Sequence, residues 1–332
     1  MVRLAGDLDR RDFIKVVTAG LALMPVLGKS GLSQAVGPRR SRVALVRTSD
    51  RKRGVTAALG LLDLSAVKGK KVVIKPNFNS ADDAPGSTHN DTLSQLVTEL
   101  HGLNARGITL GESSGPPQTR GVMEKKGTFD LARDFRFDVV DYEQNADSDW
   151  VTFPAAGTHW PQGFTLPRLV VDAEYNVSTC CLKTHGYGGV FTMSLKLSVG
   201  LTPKSIRRTM HSSPDMRRMI AELNTGYVPN LIVLDGVSAF TDGGPSRGEL
   251  KAGNVMIAGS DRVAVDAVGV AMLKSLGANQ AIMGRKIFEQ EQIARAVDLK
   301  LGVERADAID IVTGDAASAA VAKELRTILA QG

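Results

Sequence analysis

The chain has 332 residues, 43% hydrophobic and 23% charged, which is ordinary globular usage and excludes a disordered, collagen-like or coiled-coil chain. An aromatic share of 5% argues against a stacking surface for single-stranded nucleic acid, and two cysteines cannot supply a four-thiolate iron–sulfur cluster. The formal net charge of +6 is thinly spread: residues 1–35 carry five Lys and Arg against three Asp, leaving 36 basic and 32 acidic side chains, a mild bias toward anions and not a nucleic-acid footprint.

The first element in chain order is a leader. Asp9-Arg10-Arg11-Asp12-Phe13-Ile14-Lys15 precedes an apolar stretch from Val16 to Leu27, and Ser33-Gln34-Ala35 then offers small residues at alternate positions. A charged start, a short apolar segment and a small-residue cleavage site define a signal peptide, not a membrane span. The arginine pair resembles a twin-arginine (Tat) signal, with Asp9 and Ile14 departing from its usual residues. Residues 1–35 are therefore expected to address the chain to the Tat translocase, placing the mature protein in the periplasm or outside the cell. No uninterrupted apolar run is long enough for a transmembrane helix, so no span is expected after signal removal.

The remainder, residues 36–332, alternates short β-branched runs with helical patterns. Strands are predicted over Val43–Arg47, Val72–Pro76, Ile108–Gly111, Phe137–Asp141, Asn176–Leu182, Leu231–Asp235, Val255–Ala258 and Ile309–Val312. Helices are predicted over Thr56–Leu62, Thr92–Asn104, Thr119–Asp134, Asp215–Thr225, Val263–Leu276, Phe288–Val297 and Ala317–Gln331. Strand–helix alternation implies an α/β fold, a mostly parallel sheet flanked by helices. Residues 142–174, with Pro154, Pro161 and Pro167, break the rhythm and read as an irregular β-rich insertion. It either interrupts one domain or joins two α/β halves, about 36–141 and 175–332.

In parallel sheets, ligands bind beyond the carboxyl ends of the strands, so polar residues there are informative. Lys75-Pro76-Asn77 ends one strand; Gly111-Glu112-Ser113-Ser114-Gly115 ends another and offers amides and hydroxyls to an anion. The strongest segment runs from Cys180 to Lys196: a buried strand enters Lys183-Thr184-His185 and then Gly186-Tyr187-Gly188-Gly189. Glycines allow close backbone approach, and Lys183, His185 and Lys196 bring positive charge or donors to one loop. His211 follows Lys204, Arg207 and Arg208; Thr241-Asp242-Gly243-Gly244-Pro245 places a carboxylate in a short loop. Asp266 sits among small apolar residues of a helix, where a carboxylate needs a partner; Lys75 or Lys183 would serve. The adjacent Cys180 and Cys181 point to opposite faces of a strand and read as structural thiols.

Taken in order, Lys75-Pro76-Asn77, Gly111 to Gly115, Leu182 to His185, Thr192 with Lys196, His211, Asp242 to Pro245, and Ser260 to Asp266 resemble the family called domain of unknown function 362, over about residues 43–280. The resemblance implies an α/β domain; some members carry ferredoxin modules and some twin-arginine leaders. This chain has no Cys-x-x-Cys run, so no iron–sulfur cluster is expected. The resemblance also reinforces Lys75, Lys183, His185, Lys196, His211, Asp242 and Asp266 as functional candidates.

The expected function is that of an exported enzyme acting on a small anionic molecule by acid–base chemistry, of the isomerisation or elimination type. Lys75, Asn77, Ser113, Lys183, Thr184 and Lys196 would bind the substrate; His185 or His211 would move a proton, and Asp242 or Asp266 would set a neighbour's charge. The resident cofactor is left open. Two other readings are a non-catalytic anion-binding or redox-accessory protein, and a divalent-metal protein using His185, His211 and Asp242. No nucleic-acid partner is expected. Export is expected to depend on the arginine pair: with Arg10→Lys and Arg11→Lys together, the precursor should accumulate in the cytoplasm on cell fractionation. Undiminished export would instead assign the leader to the general secretory route.

Overall fold

A computed structural model describes residues 40–331; the leader falls outside these residues. The strands are β1 (Ser41–Arg47), β2 (Lys71–Lys75), β3 (Gly107–Glu112), β4 (Asp138–Asp141), β5 (Trp150–Phe153), β6 (Phe164–Pro167), β7 (Tyr175–His185), β8 (Val190–Thr192), β9 (Leu231–Gly243), β10 (Gly248–Gly259) and β11 (Ile309–Val312). Nine of them form one sheet in the order β11-β1-β10-β9-β7-β2-β3-β4, with β8 alongside the end of β7. Within it, β8 and β10 run antiparallel to their neighbours, and the remaining pairings are parallel. The chain is thus an α/β protein with a mostly parallel, mixed sheet, as its strand–helix alternation predicts.

Burial on both faces explains the apolar strands. Every residue of β7 is buried. Its side chains alternate: Cys180 and Leu182 join Leu45, Leu234 and Ile257 under the helix Arg262–Ser275, while Tyr175 and Val177 join Ile74, Val233 and Met256 on the other face. The helix Arg262–Ser275 is built from Val, Ala and Leu and is apolar nearly all round, as a helix between a sheet and other helices must be. Asp261 caps its start by accepting from the amides of Val263 (2.9 Å) and Ala264 (3.0 Å).

The segment 142–174 contains the two-stranded antiparallel sheet of β5 and β6. It rests on a third apolar cluster with Trp160, Phe164, Leu166, Met219 and Leu223. Its anchor is Glu222, a fully buried carboxylate that accepts from the His159 amide (2.8 Å) and the Arg295 guanidinium (2.8 Å). The described residues on either side of this insertion contribute strands to the same sheet.

Several boundaries differ from the sequence reading. The helix expected over residues 119–134 is two, Thr119–Lys125 and Thr128–Phe135, because Gly127 adopts a left-handed φ of 66° between them. β9 and β10 extend well past their apolar cores as an antiparallel pair ending in the 243–248 turn. There the pairing is local, and a continuous apolar run is unnecessary. β8 and the short helices Ser194–Leu197 and Lys204–His211 are additional. They cover the carboxyl ends of β2, β3 and β7 and build the walls of the site.

Candidate functional site

Lys75 is the last residue of β2, and Pro76 ends the ladder beside it. Its ammonium lies 2.5 Å from Glu112 Oε1, at the end of the adjacent β3, and 2.6 Å from the Pro76 carbonyl. Both side chains are buried. Burial pushes the Lys75 amine down, and Glu112 holds it up. Glu112 also accepts from the amides of Phe78 and Ser113, each at 2.8 Å, so one carboxylate fixes two rim loops. Gly200 crosses directly over the pair: a Cβ there would lie 2.7 Å from Lys75 Nζ and 2.9 Å from Glu112 Oε1.

At the end of β7, Lys183 and His185 play different parts. Lys183 is wholly buried and donates to the carbonyls of Gly86 (2.6 Å) and Pro245 (2.9 Å). Thr184 donates to the carbonyls of Phe240 and Gly243. Both therefore fasten the strand to neighbouring loops, and neither lines the cleft. His185 does line it, and its Nδ1 accepts from the Gly189 amide at 3.2 Å. That bond places the ring proton on Nε2. Burial, then the neighbouring Lys196, His211 and Lys183, push the imidazole down to about 2, so it is neutral.

Lys196 is the decisive residue. β8 leads into the helix Ser194–Leu197, whose first two amides are taken by Asp266: Oδ1 accepts from Ser194 (2.8 Å) and Oδ2 from Leu195 (2.9 Å). Asp266 was expected to pair with Lys75 or Lys183. Its carboxylate goes to backbone amides because each lysine is already engaged, with Glu112 and with two carbonyls respectively. Burial pushes the Asp266 carboxyl up to about 7, against the two amides and Arg262. Held by this turn, Lys196 is 8% exposed and has no hydrogen-bond or ion-pair partner among the described residues. Burial, then Lys183 and Arg207, lower its amine to about 7. Gly189 makes room: a Cβ there would lie 2.8 Å from Lys196 Cε and 2.9 Å from His185 Nδ1.

Arg207, on the helix Lys204–His211, is buried and donates to the carbonyls of Thr202 and Ser114 and to Ser113 Oγ (2.7 Å). Ser113 is thus an acceptor for Arg207, while Asn77 lines the cleft beside Lys75. The cleft has two contiguous parts. An inner chamber of about 60 Å³ is lined by Lys75, Asn77, Glu112, Ser113, Thr192 and Lys196. An outer one of about 790 Å³ includes Tyr187, Lys204, His211 and Arg247. Both are lined by His185, Lys196 and Arg207.

The other expected residues separate. His211 is exposed at the outer wall; burial of its ring, Lys196 and Arg207 lower its pKa. Asp242 does not line the cleft: it is exposed, and its Oδ1 accepts from Asn279 Nδ2 and the Gly243 amide, each at 2.9 Å. His185, His211 and Asp242 therefore do not form a ligand set, and among the described residues no group of three or more His, Cys, Asp or Glu is arranged to hold a metal ion. Glu112 and Arg207 were missed as site residues. Glu112 had a usable signal, an acidic residue closing an apolar strand beside the one ending in Lys75; Arg207 had none beyond its basic neighbours.

Removing the Asp266 carboxylate leaves two buried amides without an acceptor, each costing about 1–3 kcal/mol. Asp266→Ala is therefore expected to lower unfolding free energy in urea by about 2–6 kcal/mol, and Asp266→Asn, which keeps one acceptor, by less. A loss under about 1 kcal/mol for the alanine variant would show that the amides are satisfied otherwise.

Known proteins bear on this arrangement as follows. A thylakoid-associated protein of Synechocystis sp. (strain ATCC 27184 / PCC 6803 / Kazusa) is 26% identical over 211 residues, covering 60% of this chain and 62% of that protein. The match thus spans less than two thirds of the relative's length. Among solved structures, the lactate racemase apoprotein from Thermoanaerobacterium thermosaccharolyticum aligns over 86% of each chain with a TM-score of 0.45 and 13% identity. The family described as domain of unknown function (DUF362) matches residues 72–271, which include β2 apart from Lys71, β3, β7, the Lys196 turn and Asp266. The chain belongs to the DUF362 family.

Proposed function

We propose that this protein is an enzyme that binds an anionic head group, of carboxylate type, and moves a proton on the carbon beside it. The observation that carries the reading is Lys196: a buried amine with no counter-ion among the described residues, at the meeting point of both chambers. A buried ammonium without a partner is costly, and an anionic ligand relieves that cost. The surroundings favour an anion, because Lys183 and Arg207 spend their donors on neutral carbonyls and hydroxyls and have no carboxylate in direct contact among the described residues.

An amine near pH 7 is also matched to proton transfer. The ammonium that holds the head group cannot accept a proton, so exchange would run through the fraction of complexes in which Lys196 is neutral: that amine takes the α-proton, becomes the ammonium and returns it, while His185 offers Nε2–H to the developing oxyanion. This exchanges the roles that the sequence alone suggested, since a neutral imidazole held near pKa 2 is a poor base. Isomerisation and elimination both begin with such an abstraction. Export through the twin-arginine route, to the periplasm or beyond, belongs to the same proposal and rests on Arg10 and Arg11.

The test joins binding to exchange. Acetate, oxalate and inorganic phosphate serve as probes in calorimetric titrations across pH. Below about 7 the amine is already charged and affinity is expected to be level; above it the anion must recruit a proton, and affinity falls by up to about tenfold per pH unit. Lys196→Met should abolish this dependence. Incubation of a panel of 2-substituted carboxylates in deuterium oxide should give exchange at the α-carbon, read by mass spectrometry and lost in the same variant. Binding without exchange across the panel would leave an anion-binding protein in place of an enzyme.

A further inference from the structure

The shape and charge of the outer chamber carry the identity of the ligand further, on the premise that an anionic head sits at Lys196. The inner chamber, about 60 Å³, has room for a few waters or a small group such as a carboxylate, since about 10–15 Å³ of such space holds one water. The outer chamber, about 790 Å³, is in the range that encloses most of a drug-sized ligand. A molecule that fills only the inner chamber leaves most of the cleft unused.

The outer lining contains no Asp or Glu among its described residues. Of its cations, Lys204 is tied to Glu143 (2.7 Å) and the Pro117 carbonyl, and Arg207 to carbonyls. Arg247, on the turn after β9, has an exposed guanidinium with no partner among the described residues. His211 lines the same chamber and carries a ring N–H. Pro116, Val199 and Tyr187 line the same chamber as Lys196 and Arg247. Tyr187, which lines this chamber with its largely apolar ring, is 75% exposed and sits between Gly186 and Gly188.

We propose that the ligand is an elongated dianion, with one anionic head at Lys196, an apolar body along Tyr187, Pro116 and Val199, and a second anionic group at the mouth held by Arg247 and His211. An ion pair at a partly exposed mouth is worth up to about 1 kcal/mol, or about fivefold in affinity. The class of compound is therefore a long-bodied dicarboxylate, or a phosphate-bearing carboxylate of similar length, and not a short-chain acid.

A homologous series of straight-chain dicarboxylates, from succinate to dodecanedioate, and their monomethyl esters tests this by calorimetry on the full chain. Affinity of the diacids is expected to pass through an optimum length, and the diacid at that length to bind about fivefold more tightly than its half-ester. Arg247→Gln should erase that difference, and Lys196→Met should weaken both compounds. Diacids and half-esters of equal affinity at every length, or a difference that survives Arg247→Gln, would overturn the dianion while leaving the head site standing. No binding by any member of the series would overturn the head site and the dianion together.

Discussion

One buried carboxylate governs the site. Asp266 lies inside the apolar, largely buried helix Arg262–Ser275 and accepts from the Ser194 and Leu195 amides. Taken out of water, a carboxylate must find donors, and the free amides at the start of a short helix are the donors at hand. The bond pair joins the core helix to the turn after β8, and so sets where Lys196 emerges. The neighbouring Arg262 extends the same anchoring: it is buried, bonds the Asn224 and Tyr227 carbonyls, and stacks 4.8 Å above the Tyr227 ring. The motif from Asp261 to Asp266 is thus a scaffold whose effect on function is exerted through position.

Around that anchor, the basic residues of the rim divide by the partners they meet. Lys75 is neutralised by Glu112; Lys183 and Arg207 are hydrogen-bonded but keep their charge. Among the described residues Lys196 is hydrogen-bonded to neither a carboxylate nor a carbonyl. Burial, and then the charges of Lys183 and Arg207, lower the pKa of that one amine, a pattern characteristic of functional groups more than of structural ion pairs. Gly189 and Gly200 contribute by absence, since any side chain at either would collide with the groups that form the inner chamber.

The resemblance seen in the sequence and the family match agree, and both fall on the same blocks of chain. The blocks nevertheless mix two kinds of residue. In the run Lys183-Thr184-His185, the first two tie β7 to its neighbours and only the third faces the cleft. A lysine at a strand end has the same appearance in sequence whether its ammonium meets a carbonyl, a carboxylate or a cavity. What separates the three outcomes is the position of other segments, here the loop carrying Gly86 and the turn carrying Pro245.

Strand–helix alternation, apolar strands and their lengths determined the α/β class and most element positions, because burial on both faces of a parallel sheet demands continuous β-branched runs. The same logic put Lys75 and Lys183 at the ends of parallel strands; the structure brings Lys75, His185 and Lys196 to one cleft and leaves Lys183 outside its lining. The sequence did not reveal the break at Gly127, the long β9–β10 pair or the short strand β8, where local conformation and antiparallel pairing leave only weak periodicity. Nor could it assign partners: Asp266 to amides, Glu112 to Lys75, Asp242 to Asn279. Those choices depend on which groups are brought within about 3 Å of one another across segments distant in the chain, and only the tertiary structure sets those distances.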